Sequence, residues 1–264
     1  MNKTLTYQST GNGVTITGVS DYRSIAGKLT IPDKIAGKSV TEIGDQAFFG
    51  CAGLTSVTIP NSVFSIGINA FQECTGLTSV ILPSKLTYIG THAFNECTSL
   101  KSVTIPNSVT EIGGSAFQGC TSLKSVTLPS SLKDIAVQAF AFCKALTSVT
   151  IPSSLKQIGG STFYGCSGLK SVIISKGVSV IGQFAFELCS NLNSLTIPDS
   201  VTNISNGAFS KCSGLTTVTV GKGVTEIGIN AFKGCTALTS VTIPVKLQKI
   251  GKNAFPAKTS IVRK

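Results

Sequence analysis

Residues 54–74 read LTSVTIPNSVFSIGINAFQEC, and close copies of that string return every 23 residues. Cysteine falls at 51, 74, 97, 120, 143, 166, 189, 212 and 235. A phenylalanine column runs in register through Phe48, Phe71, Phe94, Phe117, Phe140, Phe163, Phe186, Phe209, Phe232 and Phe255. Isoleucine repeats from Ile43 to Ile250 and leucine from Leu54 to Leu238 at the same interval. Four columns held in phase over some ten units exclude coincidence, so the chain is an array and is read as one before anything else.

Within a unit, Leu54, Val57 and Ile59 have the L-x-x-L-x-L spacing of leucine-rich repeats. Val57 and Ile59 alternate with Ser56 and Thr58, the period of two of a half-buried strand. Pro60 has no N–H to offer a ladder and ends that strand. Val63 and Ile66 predict a second short extended stretch. Ala47-Phe48 and its copies predict a short helical or 3-10 turn that inserts the aromatic ring, because 23 residues leave no room for a full helix. One unit cannot bury both its faces. Its neighbours must, which is the logic of a solenoid. The expected fold is therefore a β-rich, right-handed leucine-rich-repeat solenoid of about ten rungs, with parallel strands about 4.8 Å apart.

Both ends depart from the pattern. Residues 4–17 read as two alternating strands around Gly11-Asn12-Gly13, a hairpin signature. The first unit carries an insertion near Ala36-Gly37. Phe255-Pro256 stops the last turn and leaves Lys258, Arg263 and Lys264 in a polar tail. The organisation expected is a cap over residues 1–39, an array over 40–255 and a tail over 256–264.

Charge is sparse at 12% of residues, against about 25% in ordinary domains. It is also lopsided: 22 Lys and Arg face 11 Asp and Glu, leaving +11. That balance favours acidic partners, although the basic residues are scattered. No run of about 18 apolar residues exists to cross a membrane. Met1-Asn2-Lys3-Thr4-Leu5-Thr6 has no apolar core of the kind a secretory leader needs.

The element L-T-S-V-T-I-P-N-S-V-x-x-I-G-x-x-A-F-x-x-C resembles the BspA-like, or Treponema-type, leucine-rich repeat, over about residues 30–255. The resemblance implies a solenoid and a broad binding role, since several such proteins are surface adhesins that hold host matrix proteins or other cells. It implies a cell-surface or secreted location, and it brings no shared catalytic residues.

The residues that could carry chemistry are few. Nine cysteines cannot all pair within one chain, equivalent Cβ vectors on neighbouring rungs point the same way, and no close C-x-x-C pair exists for zinc. They read as buried structural thiols. His92 is the only histidine, and its column (Gln46, Asn69, Ser115, Gln138) reads as a solvent-facing polar position. No catalytic residue, metal site or cofactor is expected. On the strand face, Ser56 and Thr58 head hydroxyl columns that could hold carbohydrate, or could simply suit strands. Lys101, Lys124 and Lys170 interrupt the adjacent Thr column as a possible stripe for an acidic ligand. Apolar residues also intrude where sister units are polar. Phe142 and Leu188 stand in the column of Gly50, Glu73 and Glu96, Tyr164 in that of Gln72 and Asn95, and Phe184 in that of His92. They could form one exposed patch or each fold over its own turn.

The leading reading is a non-enzymatic binding module for a protein or glycan, with no specific nucleic acid. The alternative is a structural or scaffold array, natural or idealised, with no specific ligand. Loss of partner binding with an unchanged fold would separate the two.

Overall fold

The computed structural model describes residues 5–264 apart from 12, 23 and 24. Every unit contributes to two stacked ladders of parallel strands. The longer strands include Leu54–Thr58, Ser79–Ile81, Ser102–Thr104, Ser125–Thr127, Ser148–Ile151 and Ser171–Ile174. Where they pair the register is strict, Ser56 beside Ser79 and Ser148 beside Ser171, and the ladder is interrupted between Ser79–Ile81 and Ser102–Thr104. Alternation decides what each residue does: Val103 is buried while Ser102 and Thr104 face out. The second ladder is built from two-residue strands such as Ser65–Ile66, Tyr88–Ile89 and Glu111–Ile112, in which the isoleucine points inward. Between the two strands the chain turns at proline, whose carbonyl accepts from the residue three on, as in Val63 N–H to Pro60 O at 3.0 Å.

The turn carrying the phenylalanine differs from the expected helical or 3-10 segment. Single turns do form: the N–H groups of Phe49 and Cys51 donate to the carbonyls of Gln46 and Phe48 at 3.0 and 3.2 Å. They do not continue into a helix, because the backbone is left-handed at Gln46 (φ 56°) and again at Gly50 (φ 67°). A right-handed helix cannot pass through either position. The N–H groups of Gln46, Phe48 and Gly50 go instead to Ile68, Ala70 and Gln72 in the next unit, at 2.7–2.8 Å. This strip is thus a third intermolecular-style ladder within one chain, and it accounts for its backbone polar groups without a helix.

Inside, Leu54, Val57, Ile59, Val63, Ile66, Phe71 and Cys74 are all buried. The ten phenylalanines form one continuous stack, with Phe71–Phe94 and Phe94–Phe117 centroids 5.2 Å apart and nearly parallel. The stack measures the rung repeat directly, slightly more than the strand spacing alone would set. All nine cysteines are free and buried. Each from Cys74 to Cys235 donates its Sγ–H to a phenylalanine carbonyl of the preceding turn, as Cys143 does to Phe117 O at 3.2 Å. Burial pushes the Cys51 thiol up to about 11, and holds those of Cys74, Cys97, Cys120, Cys143 and Cys189 well above the ordinary thiol range.

At the N-terminal end Leu5–Thr10 and Gly13–Val19 form an antiparallel hairpin, whose turn residue Asn12 lies outside the described residues. Gly13–Val19 then pairs in parallel with Lys38–Ile43, so the hairpin covers the first rung of the second ladder. The insertion is a two-residue turn, with Ala36 at φ 50° and Gly37 at 79°, joining Lys34–Ile35 to Lys38–Ile43. Gly27–Thr30 pairs with Leu54–Thr58, which makes residues 27–30 the first rung of the longer ladder. Residues 256–264 are more than the polar tail expected: Ser260–Arg263 pairs in parallel with Ser240–Ile243 as a further rung. Its side chains are exposed, and Pro256 only ends the preceding turn.

Candidate functional site

Two columns of every unit lie in the left-handed region, one running from Gln46 to Asn253 and one from Gly50 to Gly234. This backbone demand explains why Asn, Gly and Ser recur there. His92 (φ 55°) is half-buried, as is Asn69, and Ser115 is buried, so the column is selected by φ and not by solvent exposure. Against that background three residues stand out. Phe142 (φ 59°), Phe184 (φ 56°) and Leu188 (φ 64°) are bulky apolar residues in a conformation that costs an ordinary L-residue about 1–2 kcal/mol. Phe142 lies on the first of three successive rungs, and Phe184 and Leu188 share the third.

Phe142 and Tyr164 come together. Their rings meet edge to face with centroids 5.2 Å apart, and the Phe142 N–H donates to Tyr164 O at 2.6 Å. The Phe142 ring covers Gly165, where a Cβ would meet its Cδ1 at 2.7 Å. Phe184 does the same two units further on, lying over Gly207, and remains 36% exposed. Leu188 is half-buried in the same rung as Phe184. Each ring therefore leans across the next unit's glycine. The result is an aromatic pair plus a second apolar pair on the neighbouring rungs.

Polar groups that sequence reading passed over border this strip. Glu187, buried beside Leu188, accepts from the Ser210 hydroxyl at 3.4 Å and pairs with the Lys211 ammonium at 3.1 Å. Glu187 occupies the column of Tyr164 and Gln118, and the only carboxylate in that column was the available signal. Gly165 and Gly207 were legible only as repeats, since nothing local tells that they seat a ring from the unit before.

Lys101, Lys124 and Lys170 lie elsewhere, exposed beside the longer strands. The backbone places Lys101 and Lys124 on adjacent rungs, with Lys124 N–H donating to Lys101 O at 2.9 Å. Lys170 follows after Thr147, to whose carbonyl its N–H donates at 2.9 Å. Among the described residues no group of three or more His, Cys, Asp or Glu could hold a metal ion, and no helix is long and apolar enough to cross a membrane.

The BspA type leucine-rich repeat region model matches six copies, over residues 27–146 and 133–262. Among solved structures, a leucine-rich repeat protein of T. pallidum is 28% identical with a TM-score of 0.50, over 89% of this chain and 87% of that one. A leucine-rich cell surface protein of Faecalibacterium prausnitzii A2-165 is 26% identical with a TM-score of 0.51, over 100% of this chain and 96% of its own. A leucine-rich repeat protein of Eubacterium ventriosum, 20% identical, shares the fold with a TM-score of 0.60 over 96% of this chain and 92% of that one. The search of curated proteins found no match.

Proposed function

Because this chain belongs to the BspA-type leucine-rich repeat family, we propose that it is a non-enzymatic recognition module that binds a protein partner at a cell surface. The observation that carries this reading is the set of bulky apolar residues at left-handed positions. Phe142, Phe184 and Leu188 sit where Gly or Asn would be cheaper, and they remain partly open to solvent. Local strain retained at a surface is what interaction sites keep, because the strained residue serves the partner and not the fold. With Tyr164 they provide aromatic anchors of the kind that dominate binding energy, and the Glu187–Lys211 pair supplies a polar border. The surface location draws support from the cell-surface relative in F. prausnitzii.

The test replaces the four by the residues of sister units: Phe142→Glu, Tyr164→Gln, Phe184→Asn and Leu188→Glu. Binding to a panel of immobilised extracellular-matrix proteins is measured for both forms, with circular dichroism to verify the fold. The expected result is a loss of about tenfold or more, as removal of central anchors gives. Unchanged affinity and unchanged self-association with the fold intact would reject the strip as the binding surface.

A further inference from the structure

One side of the solenoid carries no acid. The exposed columns of the longer strands begin at Thr55, Ser56 and Thr58 and run to Thr239, Ser240 and Thr242. Among the described residues, none of the eleven Asp and Glu residues and no aromatic ring falls in them. From Thr55 onward their charged members are Lys101, Lys124 and Lys170, and Lys28 stands beside Ser56 on the first rung. The threonines in the lysine column turn their hydroxyls back onto the ladder, as Thr78 and Thr216 do to Thr55 O and Asn193 O at 2.9 Å. The lysines have no such option and project outward. The ion pairs among the described residues, Lys211–Glu187 and Lys249–Glu226, both lie off this face. Three uncompensated ammonium groups therefore share a hydroxyl-rich surface.

The same face runs into a basic end. Beyond Glu226 the chain has seven Lys and Arg and no Asp or Glu. Thr219 and Thr242, the last of the outward threonines, line a cleft of about 720 Å³ together with Lys222, Lys246, Lys264 and the apolar Val220, Ile243 and Val245. The Asp199 carboxylate accepts from the Lys222 N–H at 2.7 Å. From the Lys101 rung to the Lys246 rung is six repeats, about 31 Å at the 5.2 Å stacking interval.

We propose that this face is a binding track for a linear acidic polysaccharide lying along the solenoid axis. Lysines one and two rungs apart would meet its sulfate or carboxylate groups, and the serine and threonine columns would meet its hydroxyls. Two rungs, about 10 Å, is comparable with two pyranose rings joined end to end. A single-stranded nucleic acid fits less well, because such strands rely on aromatic side chains for base stacking and this face has none. The track is on a different side from the aromatic strip, so it stands or falls independently of the protein-binding reading.

Binding of the full chain is measured to heparin, hyaluronan, uncharged dextran and a single-stranded thymidine oligonucleotide across a salt series. The track variant is Lys101→Gln, Lys124→Gln and Lys170→Gln. A charge-matched control changes the exposed Lys133, Lys156 and Lys233 to Gln. The expected result is salt-sensitive binding to heparin, hyaluronan or both, with sulfate and carboxylate recognition told apart by which binds. The track variant loses about tenfold in affinity, and its slope of log affinity against log salt falls by about two to three. The control stays within about twofold of wild type. Equal losses in both variants would show a diffuse charge effect and overturn the track. So would binding of neither polysaccharide, equal binding of dextran, or tighter binding of the oligonucleotide.

Discussion

The ring of Phe142 occupies the space above Gly165, so close that a Cβ built on that glycine would sit 2.7 Å from Phe142 Cδ1. Gly165 also has φ 68°, so two independent constraints act on it. Gly165→Ala is expected to destabilise the protein by about 1–3 kcal/mol, combining left-handed strain with displacement of the ring. Removing the ring as well, in Phe142→Gly with Gly165→Ala, should recover the steric part and leave the strain. Urea unfolding of the four forms measures this coupling. Additive effects would show that the ring yields freely.

Phe184→Asn installs the residue that sister units carry at Asn69, Asn230 and Asn253. Asparagine tolerates the left-handed region far better than phenylalanine. The change should leave stability unaltered or raise it by up to about 1 kcal/mol, while weakening partner binding. A loss above about 2 kcal/mol would mean that the ring is part of the core, which its exposure argues against.

The phenylalanine stack should respond according to position. Phe117 is buried and flanked by Phe94 and Phe140 at 5.2 Å on each side, whereas Phe255 ends the stack and is only partly buried. Phe117→Ala is expected to cost about 3–5 kcal/mol, and Phe255→Ala clearly less. Equal costs would contradict a stack whose ends are less constrained than its middle.

Stability should fall in alkali. The thiols of Cys51, Cys74, Cys97, Cys120, Cys143, Cys189 and Cys212 all titrate above their ordinary range when folded, Cys51 at about 11. For Cys212 the hydrogen bond with Cys235 leads and burial follows; for the rest burial leads. Unfolding lets each thiol ionise near pH 9, so above that pH the unfolded chain binds fewer protons than the folded one. The stability is complete below pH 9 and is lost as pH rises toward the folded values, at about 1.4 kcal/mol per pH unit for each thiol ionised. Urea midpoints at pH 8, 9 and 10 test this. A level profile would rule it out. In the native state at pH 8 a thiol reagent should find nearly all nine cysteines only after denaturant is added.

Deleting residues 100–122 removes one complete unit and joins Ser99 to Leu123 in the same phase. The shortened chain should fold, because every ladder bond joins nearest neighbours, with a stability loss of a few kcal/mol. A denatured far-ultraviolet spectrum would point to a core that depends on distant contacts.

The 23-residue phase was enough to identify the solenoid, the buried faces of both strands and the cysteine ladder. Those follow from spacing: an apolar residue repeated at one period must stack on its copy, whatever the detailed path of the chain. Spacing could not reveal the left-handed positions at Gln46 and Gly50, because Gln, Asn, Ser, Gly and His share them and read locally as surface polarity. Those positions turned the expected helical segment into a ladder, since a backbone that reverses hand every four residues can satisfy its N–H groups only in the next unit. Phe142, Tyr164, Phe184 and Leu188 were visible as misfits in their columns. That Phe142 reaches across to Gly165, while Phe184 reaches to Gly207, was decided by tertiary structure, because a glycine leaves space only for a ring that another unit delivers. Likewise the three lysines could be read as a stripe, but their isolation from every carboxylate depends on which columns share a face, and only the stacked ladders determine that.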